Sequence, residues 1–212
     1  MSNDTILVVL QVVALLFAVS FHESAHGLVA LLCGDPTARE QGRISLNPLK
    51  HLDPMGSVVV PALLALAGAP VFGWAKPVPV DLSRTREPRT ANLLVSAAGP
   101  VSNVILALAS SLVVLALDQP SGAHGGLLRS LVFALALYSV LINVALAIFN
   151  LLPIPPLDGF GVLLSLLPRS LYPLAAALRR WGMLILLVVM MTGMLSRILS
   201  PARQAIIHLL LH

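Results

Sequence analysis

Apolar residues run along this chain in long blocks separated by short polar stretches, a pattern that predicts helices crossing a membrane rather than the face-by-face alternation of a soluble fold. Five blocks stand out, at about 6–33, 55–73, 91–117, 127–152 and 181–199. Several approach the roughly 20 residues needed to span the hydrocarbon layer. No stretch carries the polar patterning of a separate soluble domain, so residues 1–212 are expected to form one embedded domain. The fold expected is an all-α membrane protein, a polytopic helical bundle with short interfacial β elements and a re-entrant segment.

The β elements are expected in the polar stretches. Between Gly73 and Arg89 the chain reads Lys76-Pro77-Val78-Pro79-Val80-Asp81; proline at alternate positions suits an extended edge strand and excludes a helix interior. The first block, Ile6 to Cys33, is too long for a signal-peptide core and has no basic residue before it, so it is read as a retained helix. In the tail, Ser200 to His212, Arg203, Gln204, His208 and His212 alternate with Ile and Leu at helical spacing. Such a segment either lies along the interface or ends as a frayed helix.

Composition supports the membrane reading. Hydrophobic residues make up 58% and charged residues 10%, against roughly a quarter charged in soluble domains. The formal charge of +4 does not point to nucleic acid, because the basic residues sit in short loops between apolar runs, where they set topology. Cys33 is the single cysteine, which rules out an internal disulfide.

Candidate chemistry lies near the end of the first block, in Phe21-His22-Glu23-Ser24-Ala25-His26. Imidazoles four residues apart stack on one helix face and reach a single metal ion. A charged group inside an apolar helix costs about 2.5–3.5 kcal/mol by insertion measurements. Three ionisable residues within five therefore call for a role, and hydrogen bonding of core histidines to neighbouring helices explains Glu23 poorly. A hydrolytic zinc site needs three protein ligands and an open position for water. His22 and His26 supply two, and Glu23 is placed to take a proton from that water and pass it to a leaving nitrogen. Asp158 follows Asn150-Leu-Leu-Pro-Ile-Pro-Pro-Leu at the end of the fourth block. The prolines there force a bend and Gly159 allows close backbone packing, so the carboxylate can turn inward.

These two motifs together resemble the site-2 protease family of intramembrane zinc metalloproteases, in its compact subgroup without a PDZ domain. The resemblance extends to Gly42-Arg43-Ile44-Ser45-Leu46-Asn47-Pro48, Gly73-Trp74-Ala75-Lys76-Pro77-Val78-Pro79 and Ala98-Gly99-Pro100-Val101-Ser102-Asn103. It implies one Zn2+ held by His22, His26 and Asp158, with Glu23 and Asn150 as catalytic residues. Asn150 would bind substrate by steadying its carbonyl or the oxyanion formed from it; capping of a helix before prolines is the competing role. The implied partners are a transmembrane protein substrate and the lipid bilayer. Asn103 and Asn143 are expected to join helices, and Gly99 and Pro100 to serve close packing and a kink. His51 and Asp53 form a rival ligand pair, but beside Lys50 they are expected to be solvated.

Topology tests the site. Were all five blocks to cross, His26 and Asp158 would end on opposite faces, so the block from Met55 to Phe72, interrupted by Gly56, Pro61, Gly68 and Pro70, is expected to dip in and return. One face would then collect ten of the thirteen basic residues and be cytosolic. The expected location is the plasma membrane, with the zinc nearer the cytosol. To expose a peptide bond, a substrate helix must unwind, and an edge strand at Gly42–Leu46 or Lys76–Val80 is expected to pair with it. The alternatives are a zinc-binding carrier, which has no use for Glu23, and an inactive scaffold that binds membrane helices. Oligomeric state is left open.

Overall fold

The computed structural model describes residues 3–68, 73–117 and 126–211. The first apolar block forms helix α1 (Asn3–Leu32), followed by the single turn α2 (Thr37–Glu40). The second gives a π-helical turn, Pro54–Val59, running into α3 (Val60–Leu66). Then come α4 (Pro88–Leu117), α5 (Leu127–Asn150), α6 (Asp158–Leu166), α7 (Tyr172–Met191) and α8 (Met194–Leu211). Among the described residues, four helices are long and apolar enough to cross a membrane: α1, α4, α5, and α7 with its preceding turn.

The block beginning at Met55 is not among them. Its thirteen helical residues rise about 20 Å, well short of the roughly 30 Å hydrocarbon layer. Asp53 starts the element by accepting the Gly56 N–H at 2.7 Å, with Pro54 in the first turn. The chain then comes back to where it left. Trp74 N–H donates to Gly56 O at 3.0 Å, Ser57 Oγ donates to Trp74 O at 2.9 Å, and Lys76 N–H donates to His51 O at 2.8 Å. Both ends of the block therefore lie together, as the dip-and-return topology requires; residues 69–72 lie outside the described ones.

Helix α4 is the hub, touching α1, α5, α6 and α8. Its buried positions include the small residues Ala91, Ala98, Gly99 and Ala107, and small residues are buried likewise on α1 (Ala14, Ala18) and α5 (Ala136, Ala147). Small residues let membrane helices approach closely, which replaces the hydrophobic drive that lipid removes. Outward positions such as Val12, Leu15, Ile105, Leu112, Leu184 and Val188 stay exposed, as a lipid-facing surface requires.

Three expectations change. The block expected at 181–199 is split between two helices: α7 begins earlier, at Tyr172, carrying Arg179 and Arg180 within its first turns, and stops before Gly193, whose φ of 67° is the left-handed geometry that ends a helix. The tail is a helix whose Ile207, Leu210 and Leu211 pack on a buried cluster of Ala107, Val114, Ala136, Val140 and Val144. Moreover, no strand forms among the described residues. Pro77 and Pro79 have no N–H to donate to a ladder, and the intervening Val78 N–H is given to the Glu23 carboxylate at 2.9 Å.

Candidate metal centre

His22, Glu23 and His26 lie one turn apart on α1, and Asp158 opens α6. The 151–157 bend turns α6 back under the bundle, through bonds such as Leu157 N–H to Ile154 O at 2.9 Å. Helix α4 then fixes α6 from the side. Arg89 donates Nε–H to Ser165 O at 2.6 Å and Nη2–H to Leu167 O at 2.9 Å, while Asn92 Nδ2–H donates to Gly161 O at 2.8 Å and Ser165 Oγ at 2.6 Å. These bonds stop the end carbonyls of α6 from being left unpaired and hold Asp158 in register with α1.

The result is a convergence of three side chains that are 132 or more positions apart in two groups. Asp158 Oδ2 lies 3.1 Å from His22 Nε2 and 3.4 Å from His26 Nε2, and the two Nε2 atoms are 3.1 Å apart. The imidazole rings meet edge to face, centroids 4.7 Å apart. All three ligand atoms fall within 4.8 Å of one another. The other ring nitrogens are already engaged: His26 Nδ1 is 2.6 Å from Val95 O and His22 Nδ1 is 2.6 Å from Asn103 Oδ1. A backbone carbonyl can only accept, so His26 donates from Nδ1, and in the neutral ring Nε2 then turns a lone pair to the centre. Asp158 Oδ2 is buried and has no hydrogen-bond donor. Acceptors crowded together around an orphaned carboxylate oxygen are what a cation satisfies, and two imidazoles with one carboxylate are a ligand set used for zinc in hydrolases.

A cavity of about 420 Å³ opens on this centre. His22, Glu23, His26, Asp158 and Asn150 line it, together with Val78 and Arg179. Glu23 is outside the ligand cluster, its Oε2 turned to the Val78 N–H. Asn150 serves two contacts at once, since it faces the cavity while its Nδ2–H donates to Leu146 O at 3.1 Å within its own helix. Sequence reasoning missed Arg179, placed on a cytosolic loop face; it lines the cavity from α7, its guanidinium 5.9 Å from the Phe160 ring centre. A charge inside an apolar helix was the available signal, hidden by starting that helix too late.

The rival pair separates from the site. His51 is 1% exposed rather than solvated, with Nε2 at 2.7 Å from Ser45 O, and Asp53 is spent as a helix cap. Arg43, also buried, clips the loops together by donating to Lys50 O, Lys76 O and Pro77 O, which holds the Val78 region over Glu23.

Asn103 and Asn143 do join helices, as expected. Asn103 Nδ2–H donates to Asn143 Oδ1 at 2.7 Å, and Asn143 Nδ2–H to Ser139 O at 2.8 Å. Bonds between membrane helices contribute only about 0.6 kcal/mol each on average, so stability alone is a small return for burying two amides.

Residues 119–193 match the domain described as Peptidase family M50. YwhC of Bacillus subtilis, provisionally named a zinc metalloprotease, is 39% identical over 199 residues, covering 92% of this chain and 85% of its own. Rip2 of Mycolicibacterium smegmatis, named in the same way, is 32% identical over 89% of this chain and 69% of its own. Rip2 of Mycobacterium tuberculosis is 30% identical over the same shares, 89% and 69%. No solved structure gives a significant match. A relative matched at this identity across nearly the whole chain, both His22-Glu23-x-x-His26 and Asp158 included in its span, shows that this protein belongs to peptidase family M50, the site-2 protease family.

Proposed function

We propose that the chain is a zinc-dependent endopeptidase that hydrolyses peptide bonds of membrane-spanning proteins, with residues 1–212 acting as one catalytic domain. The observation that carries this reading is the buried Asp158 Oδ2, without a donor and turned to the Nε2 atoms of His22 and His26. These three residues would hold a single Zn2+. Bound there, zinc lowers the pKa of a water to about 7 and polarises a carbonyl.

The chain's own groups supply the rest. Glu23, beside the ligands but not among them, takes the proton of the attacking water on its carboxylate and returns it to the departing amide nitrogen. To do so its Oε2 exchanges the Val78 N–H for the water. Asn150 offers the amide hydrogen not used by Leu146 O to the oxygen of the scissile carbonyl, where negative charge develops. Val78, between two prolines at the cavity wall, makes 76–80 the better of the two candidate segments for meeting an unwound substrate. Ile44 and Leu46 instead line a recess on another face of α1, with Phe21 and Ser24. The concentration of basic residues in the loops beside Glu23 makes that face cytosolic, in the plasma membrane.

The test compares membrane proteomes and bound zinc in cells carrying the native chain or Glu23→Gln. Loss of the proton acceptor should lower cleavage by 10²-fold or more, on the order of a general base's contribution, while zinc content stays the same. Fragments appearing equally in both strains would exclude the hydrolase. Zinc flux that survives the substitution would instead identify a carrier, and a native chain free of zinc an inactive scaffold.

A further inference from the structure

We infer that Asn103 is a positioning residue that selects the proton tautomer of His22, and that a chain of amides reaching across α4 into α5 fixes its orientation. This rests on the reading of His22 as a zinc ligand. The orientation of an amide is ambiguous by itself, since its oxygen and nitrogen are alike in shape. Here it is set from the far end. Ser139 O is a backbone carbonyl and can only accept, so the atom of Asn143 lying 2.8 Å from it is the Nδ2 donor. Asn143 Oδ1 is then left to accept from Asn103 Nδ2 at 2.7 Å. A second accept-only group, Ala18 O, sits 3.4 Å from the same Asn103 nitrogen and imposes the same choice.

With its nitrogen committed on that side, Asn103 presents Oδ1 to His22, 2.6 Å from Nδ1. His22 must donate there. Its Nδ1 therefore carries the proton, and in the neutral ring Nε2 keeps a lone pair toward Asp158 and His26, the form a metal ligand needs. Asn103 is fully buried and Asn143 nearly so, so water cannot substitute for either amide. An aspartate at position 103 would also accept from His22, but would add a negative charge beside a carboxylate ligand; the neutral amide sets the tautomer without it.

The experiment measures zinc affinity of the purified full-length chain by competition with a chromogenic chelator, and reads the His22 tautomer from imidazole 15N shifts of the metal-free chain. His22→Gln assigns the signal. Wild type should show Nδ1–H at His22. Asn103→Leu should give a mixture of tautomers and bind zinc about 10- to 100-fold more weakly, the usual effect of losing such a partner. Asn103→Asp, which keeps an acceptor toward Nδ1, should bind more tightly than Asn103→Leu. Asn143→Leu, two residues removed from the metal, should shift the tautomer in the same direction as Asn103→Leu but less, because Ala18 O remains.

Unchanged affinity and an unchanged tautomer in Asn103→Leu would overturn the proposal, as would equal affinities for Asn103→Asp and Asn103→Leu. Should Asn103→Leu fail to fold, Asn103→Asp and Asn143→Leu carry the same comparison. A wild-type chain that shows the Nδ1–H tautomer yet binds no zinc would break the zinc reading alone, whereas one that binds zinc with the opposite tautomer would break the relay alone.

Discussion

A methyl group at Gly99 would lie against both His22 and His26, touching their ring carbon and Nε2 atoms. Neither ring can retreat, because each is held from behind by a 2.6 Å hydrogen bond, one to Asn103 and one to Val95 O. Gly99→Ala should therefore cost about 1–3 kcal/mol as overpacking and displace the two nitrogens from Asp158. Metal analysis after dialysis against zinc should find less than one ion per chain, with helix content by circular dichroism preserved. Gly126→Ala is the control, since a methyl there meets nothing within 4 Å, and it should bind zinc as the native chain does. The close-packing role of Gly99 was legible in the sequence, and so was the two-histidine face, because a spacing of four residues on a helix is local information. What the histidines lean on was not. The partners of their Nδ1 atoms are 81 and 69 positions away, and no periodicity relates such distances.

The two polar stretches after α1 are welded by one carboxylate. Asp35 is fully buried, accepts Thr37 N–H at 3.0 Å and the Thr37 hydroxyl on one oxygen, and accepts Asp81 N–H at 2.7 Å on the other. Burial works against its ionisation, but the bonds from Thr37 and Asp81, helped by Arg84, outweigh it and hold the carboxyl below its ordinary value. A lowered folded-state pKa stabilises the protein fully above the unfolded value of about 3.9, and that contribution disappears as pH falls through the lower folded value. Asp35→Asn, which sets an NH2 group against N–H donors, should lose about 1.5–3 kcal/mol at neutral pH. Thermal unfolding in detergent should show the gap between native and variant constant from pH 7 to 5 and closing below about pH 4; a gap that widens in acid would contradict this bonding scheme. The weld matters to the site because Asp81 ends the segment carrying Val78 across Glu23. The expected edge strand here was half legible: prolines excluded helix, yet alternation could not say that the single N–H between them would find a carboxylate on α1 instead of a neighbouring strand.

The ends of α1 and α5 lie on the same side of the bundle, so that Glu23 and Asn150 share a cavity. Helical hydrophobic blocks gave the number of candidates, but not which one fails to span; that required matching the depth of His26 to that of Asp158, a constraint from chemistry rather than from hydropathy. Boundaries were less readable. An α7 that starts at Tyr172 places Arg179 inside the helix, where its long side chain can run toward the cavity mouth, and a window that stops at charged residues begins the helix beyond it. The same bundle makes a directional forecast. The loops joining α1 to α4 and α5 to α7, with the N-terminal turns of α4 and α7, hold ten basic residues, and Arg129, Arg197 and Arg203 are the other three. Because short basic loops remain cytoplasmic, a fusion at Leu82 should fluoresce with a cytosolic reporter and stay silent with a periplasmic-type phosphatase. Fusions at Leu211, which packs at the Val114 end of α4, and at Ser121, outside the described residues, should behave in the opposite way. Leu82 and Ser121 on one side would mean that α4 does not cross or that the second block does; in the latter case His26 and Asp158 would open to opposite faces, and no single ion could join them.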